Sequence, residues 1–98
     1  MKENKDKYFI KYKIGRDAWW STYSLLAPII FDALKQFRKN HIGRPPSLTM
    51  EEWDKKIDEM IIAFEVVKNA EKNAEDMDIK AVKRGLKLFA KYYLHLWD

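Results

Sequence analysis

The sequence predicts an all-α fold, a small helical bundle of about three main helices behind a basic N-terminal arm. Three observations carry this. Apolar residues recur at spacings of three and four along three long stretches, while period-two alternation is confined to one short segment. Helix-start and helix-stop residues bracket the long stretches. The connections between them are short and turn-prone, as an antiparallel bundle requires. At 98 residues one domain is the natural count. It divides into an arm, residues 1–16, and a single helical domain, residues 17–98.

In the arm, Tyr8-Phe9-Ile10-Lys11-Tyr12-Lys13-Ile14 alternates apolar and basic from Ile10 onward, which is the strand period. The chain offers no second strand to pair with it, and a lone strand leaves its backbone groups unpaired. The expectation is an arm whose conformation depends on context. Gly15-Arg16-Asp17 ends the pattern, and Asp17 is placed to cap a short helical turn carrying Trp19 and Trp20.

The first long helix is expected from about Ser21 or Ser24 to Asn40. Leu26, Ile30, Ala33, Leu34 and Phe37 fall on one face, widened by Leu25 and Ile29. Proline is harmless in a first turn but costs about 3 kcal/mol further in, so Pro28 favours a start near Ser24 over a kink. His41-Ile42-Gly43-Arg44-Pro45-Pro46 reads as a loop, with Gly43 suited to a positive φ after the helix.

The second helix opens on the clearest local signal in the chain. Thr49-Met50-Glu51-Glu52 is a capping box, and Leu48 and Trp53 are the matching hydrophobic staple. Glu51, Glu52 and Asp54 place negative charge in the first turn, where the helix dipole favours it. Trp53, Ile57, Met60, Ile61, Phe64 and Val67 then form one apolar stripe ending near Ala70–Asn73.

Asp76 or Asp78 caps the last helix. Its stripe is Ile79, Val82, Leu86, Phe89, Tyr93 and Leu96, with Lys80, Lys83, Arg84, Lys87 and Lys91 on the polar side. Gly85 costs about 1 kcal/mol relative to Ala inside a helix and is expected to admit close approach of another helix. Leu88, Tyr92 and Trp97 lie outside the stripe, and Trp19 and Trp20 stand near the arm. Either these aromatics wrap a small aromatic core, or they form a homo-oligomer interface or partner site.

Composition bounds the function. With no cysteine, a disulfide scaffold and a Cys-based zinc site are excluded. Hydrophobic residues at 47% argue against wholesale disorder. No apolar run approaches the roughly 20 residues a membrane span needs. The polar start is not followed by a signal-peptide apolar stretch, so a cytoplasmic protein without a membrane partner is expected. The net charge of +4 is segregated. Residues 1–16 hold six basic and two acidic residues, residues 51–79 hold four and ten, and residues 80–98 hold five and one. An acidic helix between basic segments can neutralise them within one fold, or leave the arm as a handle for an anionic partner.

Three stretches taken together carry a resemblance. They are Trp19-Trp20 with the helix that follows to Phe37; Pro46-Ser47-Leu48-Thr49 running into Glu51-Glu52-Trp53-Asp54 and Met60-Ile61-Ile62-Ala63-Phe64-Glu65; and Gly85-Leu86-Lys87-Leu88-Phe89-Ala90-Lys91-Tyr92-Tyr93 ending in Leu96-Trp97-Asp98. The combination resembles a family of small bacteriophage-encoded helical proteins of unknown function. The resemblance covers nearly the whole chain after the arm. It implies a viral origin and action in the cytoplasm of an infected bacterial host, and it brings no catalytic residue with it.

The residues themselves offer little enzymatic apparatus. His41 and His95 are the two histidines, and no nucleophile elbow or phosphate-binding glycine loop is present. Glu51-x-x-Asp54 and Glu75-x-x-Asp78 have the i,i+3 spacing by which all-α nucleotide pyrophosphohydrolases hold Mg²⁺, but each also has an ordinary helix-end role. No catalytic residue, metal or cofactor is therefore predicted. The leading reading is a non-enzymatic interaction protein that self-associates, binds or inhibits a host factor, or sequesters a small nucleotide signal. Its candidate contacts are Lys11, Lys13, Arg16, Trp19, Trp20, Arg44, Tyr92 and Trp97. The alternative is nucleic-acid binding through Lys2, Lys5, Lys7, Lys11, Lys13 and Arg16, interleaved with Tyr8, Phe9 and Tyr12.

Overall fold

The computed structural model describes residues 22–70 and 77–97. The basic arm, the turn carrying Trp19 and Trp20, and the polar stretch containing Glu75 and Asp76 lie outside the described residues. Three helices follow in order: α1, Thr22–Asn40; α2, Met50–Asn69; and α3, Ile79–Tyr92, which ends in a 3-10 turn, Tyr93–His95. No strand occurs among the described residues. The protein is an all-α bundle, as its periodicity predicts. No described helix is long and apolar enough to cross a membrane.

α2 is central. α1 and α3 both pack on it and do not approach each other closely. Phe37 and Arg38, near the end of α1, meet Trp53 and Asp54 near the start of α2, so these two helices run antiparallel. Tyr92, near the end of α3, meets Trp53 in the first turn of α2, which makes α3 antiparallel as well. Trp53, Ile57 and Met60 are fully buried and form the spine of the core. Ala27, Phe31 and Leu34 close on it from α1, and Tyr92 from α3. Each of the large side chains among them contributes about 1.5–3 kcal/mol by leaving water. Trp53 stands edge-on to Tyr92 at 5.5 Å and to Phe37 at 6.3 Å, so one indole ties all three helices together.

The capping box at the start of α2 is complete. The Glu52 backbone N–H donates to Thr49 Oγ1 at 3.1 Å, and the Thr49 N–H donates to Glu52 Oε1 at 2.8 Å. Leu48 packs against the cluster that contains Trp53, as the staple requires. These bonds hold the Glu52 carboxyl below its ordinary value, chiefly through the Thr49 backbone N–H and next through its hydroxyl. A lowered folded-state value contributes stability that is present above the ordinary carboxylate value and lost as pH falls through the folded one. Wild-type protein is therefore expected to lose melting temperature from just above pH 4.5 downward more steeply than Glu52→Gln, which keeps an acceptor but cannot titrate. Melting curves across that range check this.

Asp78 caps α3, accepting from the Ala81 N–H at 3.1 Å. Gly85 lies where α3 crosses α2. A Cβ built there meets the Ala63 methyl and sits 2.6 Å from the Glu59 carbonyl oxygen. The missing side chain is what lets the two backbones approach.

Four expectations need correction. α1 starts at Thr22, within the expected bounds of Ser21 or Ser24, but Pro28 lies inside the helix and not in its first turn. Pro28 cannot donate to the Ser24 carbonyl, and burial of Ala27 and Phe31 on either side of it offsets that loss. The face α1 buries is Ala27, Phe31 and Leu34, with Leu26 and Ala33 left exposed, because the broad apolar surface of α1 allows more than one orientation. Gly43 has no positive φ; α1 ends with an ordinary His41 N–H to Phe37 carbonyl bond, and Pro45 and Pro46 stop it. Finally, α3 packs through only half of its apolar stripe: Val82, Phe89 and Leu96 turn inward, joined by Ala81, Gly85, Leu88 and Tyr92. Ile79, Leu86 and Tyr93 remain 48%, 43% and 58% exposed. The small residues win the contact because a closer crossing recovers more dispersion contact along both helices.

Candidate functional site

Half of the α3 stripe, Ile79, Leu86 and Tyr93, is left facing water. Because α1 and α3 sit apart on α2, a groove of about 370 Å³ opens between them at the end of the bundle where α1 and α3 begin. Tyr23, Leu26 and Ile30 form one wall, Val82 and Leu86 the other, and Phe64 and Val67 the floor. The lining is almost wholly apolar. α3 carries Lys80, Lys83, Arg84, Lys87 and Lys91 and no acidic residue. At 100° per residue, Lys83 and Lys87 lie on the side of α3 away from α2, turned further from it than Val82. Arg84 points toward α2 and pairs with Glu59 at 3.0 Å.

A second cavity, of about 570 Å³, lies at the opposite end, between the α1–α2 loop and the C-terminal turn. Ile42, Arg44 and Pro46 line it from the loop, and His95 and Trp97 from beyond α3. The Arg44 guanidinium is oriented by a 2.6 Å bond to the Leu48 carbonyl, and Trp97 is 74% exposed.

Beside this cavity the loop is clamped to α2. The His41 side chain is almost fully buried, stacked on Phe37 at 5.0 Å. Its Nε2 meets Asp54 Oδ1 at 2.7 Å and its Nδ1 meets the Gly43 carbonyl at 3.0 Å. Arg38 reaches the other Asp54 oxygen at 3.5 Å. Losing one partner of a buried polar group costs about 1–3 kcal/mol. Asp54→Ala is thus expected to lower the urea midpoint by that equivalent, while Glu51→Ala, exposed in the same turn, should barely move it.

Of the contacts predicted from sequence, Arg44 and Trp97 are brought together at the second cavity. Tyr92 is not on the surface; it is buried against Trp53, because α3 presents Tyr92 rather than Tyr93 to α2. Lys11, Lys13, Arg16, Trp19 and Trp20 lie outside the described residues. Of the paired carboxylates, Asp54 is engaged by His41 and Arg38 and Asp78 serves as a cap, while Glu75 lies outside the described residues. Among the described residues no three His, Asp or Glu side chains gather as a metal site would need. Sequence reasoning missed the groove. Its signal was present in the unbroken three-four spacing from Ile79 to Leu96, which reads equally well as a seam for a second helix. No known protein family, characterised protein or solved structure matches the chain.

Proposed function

We propose that this chain is a non-enzymatic interaction protein of bacteriophage origin, acting in the cytoplasm of the infected bacterium by binding a host protein. The observation that supports it most is the apolar stripe of α3, half of which stays in water beside an apolar groove. Contiguous exposed apolar surface rimmed by charge marks interaction sites more often than it marks anything else. Self-association is the competing use of the same surface.

The test is capture from host lysate by wild-type protein and by Leu86→Glu, alongside light scattering of both. Capture that depends on Leu86, from a protein that remains monomeric, supports the reading. A dimer that Leu86→Glu dissolves moves the surface to self-association, and capture unaffected by the substitution contradicts the reading.

A second reading draws on the other cavity. Arg44 and Trp97 at one opening of nucleotide size suit a phosphate and a base respectively, which favours sequestration of a small nucleotide. Nucleotide titration should then quench tryptophan emission in wild type and much less in Arg44→Ala. Equal or absent quenching removes this reading.

A further inference from the structure

We infer that His41 is a pH-operated latch on the loop between α1 and α2. The latch is closed while the imidazole carries two protons, and it opens at Gly43 when the ring gives one up. It is independent of the interaction reading, and three observations carry it.

The first is what the two ring nitrogens face. Nδ1 lies 3.0 Å from the Gly43 carbonyl oxygen, and Nε2 lies 2.7 Å from Asp54 Oδ1. A backbone carbonyl and a carboxylate both accept, while a neutral imidazole has one N–H to give. Only the doubly protonated ring donates to both at once. The other way to fill both contacts puts the proton on the carboxyl, and imidazole is the stronger base of the two. Arg38, which donates and cannot accept, faces the other Asp54 oxygen at 3.5 Å.

The second is burial. The His41 side chain is 3% exposed and stacks on Phe37. Water is therefore not at hand to bridge two facing acceptors, and a contact that loses its proton has to break.

The third is position. Gly43 and Arg44 follow His41 closely and both line the cavity at this end of the bundle. Of the two contacts the one to Asp54 is charge-assisted and the stronger. A neutral ring thus keeps its Nε2–H for Asp54 and turns the Nδ1 lone pair on the Gly43 carbonyl. That peptide then moves away and shifts the wall that carries Arg44. The charged groups around the ring are Asp54 directly, Arg38 through Asp54, and Asp58 through Arg38. The latch contributes at low pH and is lost as pH rises through the point where the ring deprotonates.

The test is NMR of the full-length, isotope-labelled protein at about pH 5 and about pH 9, on either side of the ordinary imidazole value of about 6.5. Both His41 ring nitrogens are expected to be protonated at the lower pH. At the higher pH Nδ1 alone should have lost its proton, and the carbonyl and Cα shifts of Gly43 and Arg44 should follow the same titration curve. Asp54→Asn supplies the comparison that a merely structural contact would not move. Its amide can donate to Nε2 while its oxygen accepts from Arg38, so a neutral ring protonated on Nδ1 fills both contacts. In that variant Nδ1 should stay protonated at both pH values, and the Gly43 and Arg44 shifts should lose their pH dependence. His95→Gln should leave the wild-type curve unchanged. A ring holding a single proton at the lower pH, loss of the proton from Nε2 instead, or no change between the two pH values overturns the inference. So does a Gly43 response that survives Asp54→Asn.

Discussion

Trp53→Ala is expected to bring the protein to the edge of unfolding at room temperature. Trp53 is fully buried, lies in the first turn of α2, and is the residue through which Phe37 of α1 and Tyr92 of α3 touch the same group. Truncating such a side chain costs about 3–5 kcal/mol, the lost transfer energy plus the cavity left behind. A domain of this size has about 5–15 kcal/mol in total, and small bundles fall at the low end. Trp53→Phe should be milder for a specific reason. The Trp53 indole N–H is buried without a hydrogen-bond acceptor, so the substitution removes an orphan donor while it opens a smaller cavity. Urea unfolding followed by circular dichroism should order the three proteins as wild type, Trp53→Phe, Trp53→Ala. An alanine variant with a wild-type midpoint would mean that the three helices do not meet at Trp53.

Gly85→Ala is expected to destabilise the protein even though it replaces glycine inside a helix. Helix propensity alone favours alanine by about 1 kcal/mol. Against that, the new Cβ meets the Ala63 methyl and lies 2.6 Å from the Glu59 carbonyl oxygen. Neither neighbour is a flexible side-chain end, so relief requires α3 to move off α2. Overpacking of this kind costs about 1–3 kcal/mol and outweighs the propensity gain. Gly85→Val adds two methyls at the same point and should lose far more. The double variant Ala63→Gly/Gly85→Ala removes the methyl contact but not the carbonyl one, so its loss should be smaller than the sum of the two single losses, a positive coupling in a double-mutant cycle. A Gly85→Ala protein that melts above wild type would show that α3 is not seated where Gly85 touches Glu59.

The legible parts of this fold are local. The capping box at Thr49 and Glu52 is written in four consecutive residues and satisfies its own backbone groups, so no tertiary contact is needed to set it. The α2 stripe was legible because a central helix buries its large residues against whatever packs on it. The faces of α1 and α3 were not. On α3 the choice lay between a stripe of large side chains and a row of small ones, Ala81 and Gly85, and hydrophobicity favours the former. The helix settled between the two, with Val82 and Phe89 inward and Leu86 outward, because Gly85 meets Ala63 and Glu59 on α2, and that complementarity belongs to two helices at once. Tyr92 and Tyr93 exchange roles for the same reason, one buried and one exposed. Arg44 and Trp97 could be named from residue type alone, but their meeting across one cavity depends on where the C-terminal turn lands.

The orientation of α3 is therefore the central claim, since the groove and the proposed interaction surface depend on it. The chain has no cysteine, so single cysteines report without interference. Leu86→Cys and Ala81→Cys, five residues apart on α3, should be labelled with a thiol reagent under native conditions at low protein concentration. Rapid modification of Leu86→Cys, near the rate of an unfolded control, with Ala81→Cys slower by orders of magnitude, is the predicted result. The reverse order would contradict it, placing the Ile79–Leu86–Tyr93 edge in the core and closing the groove.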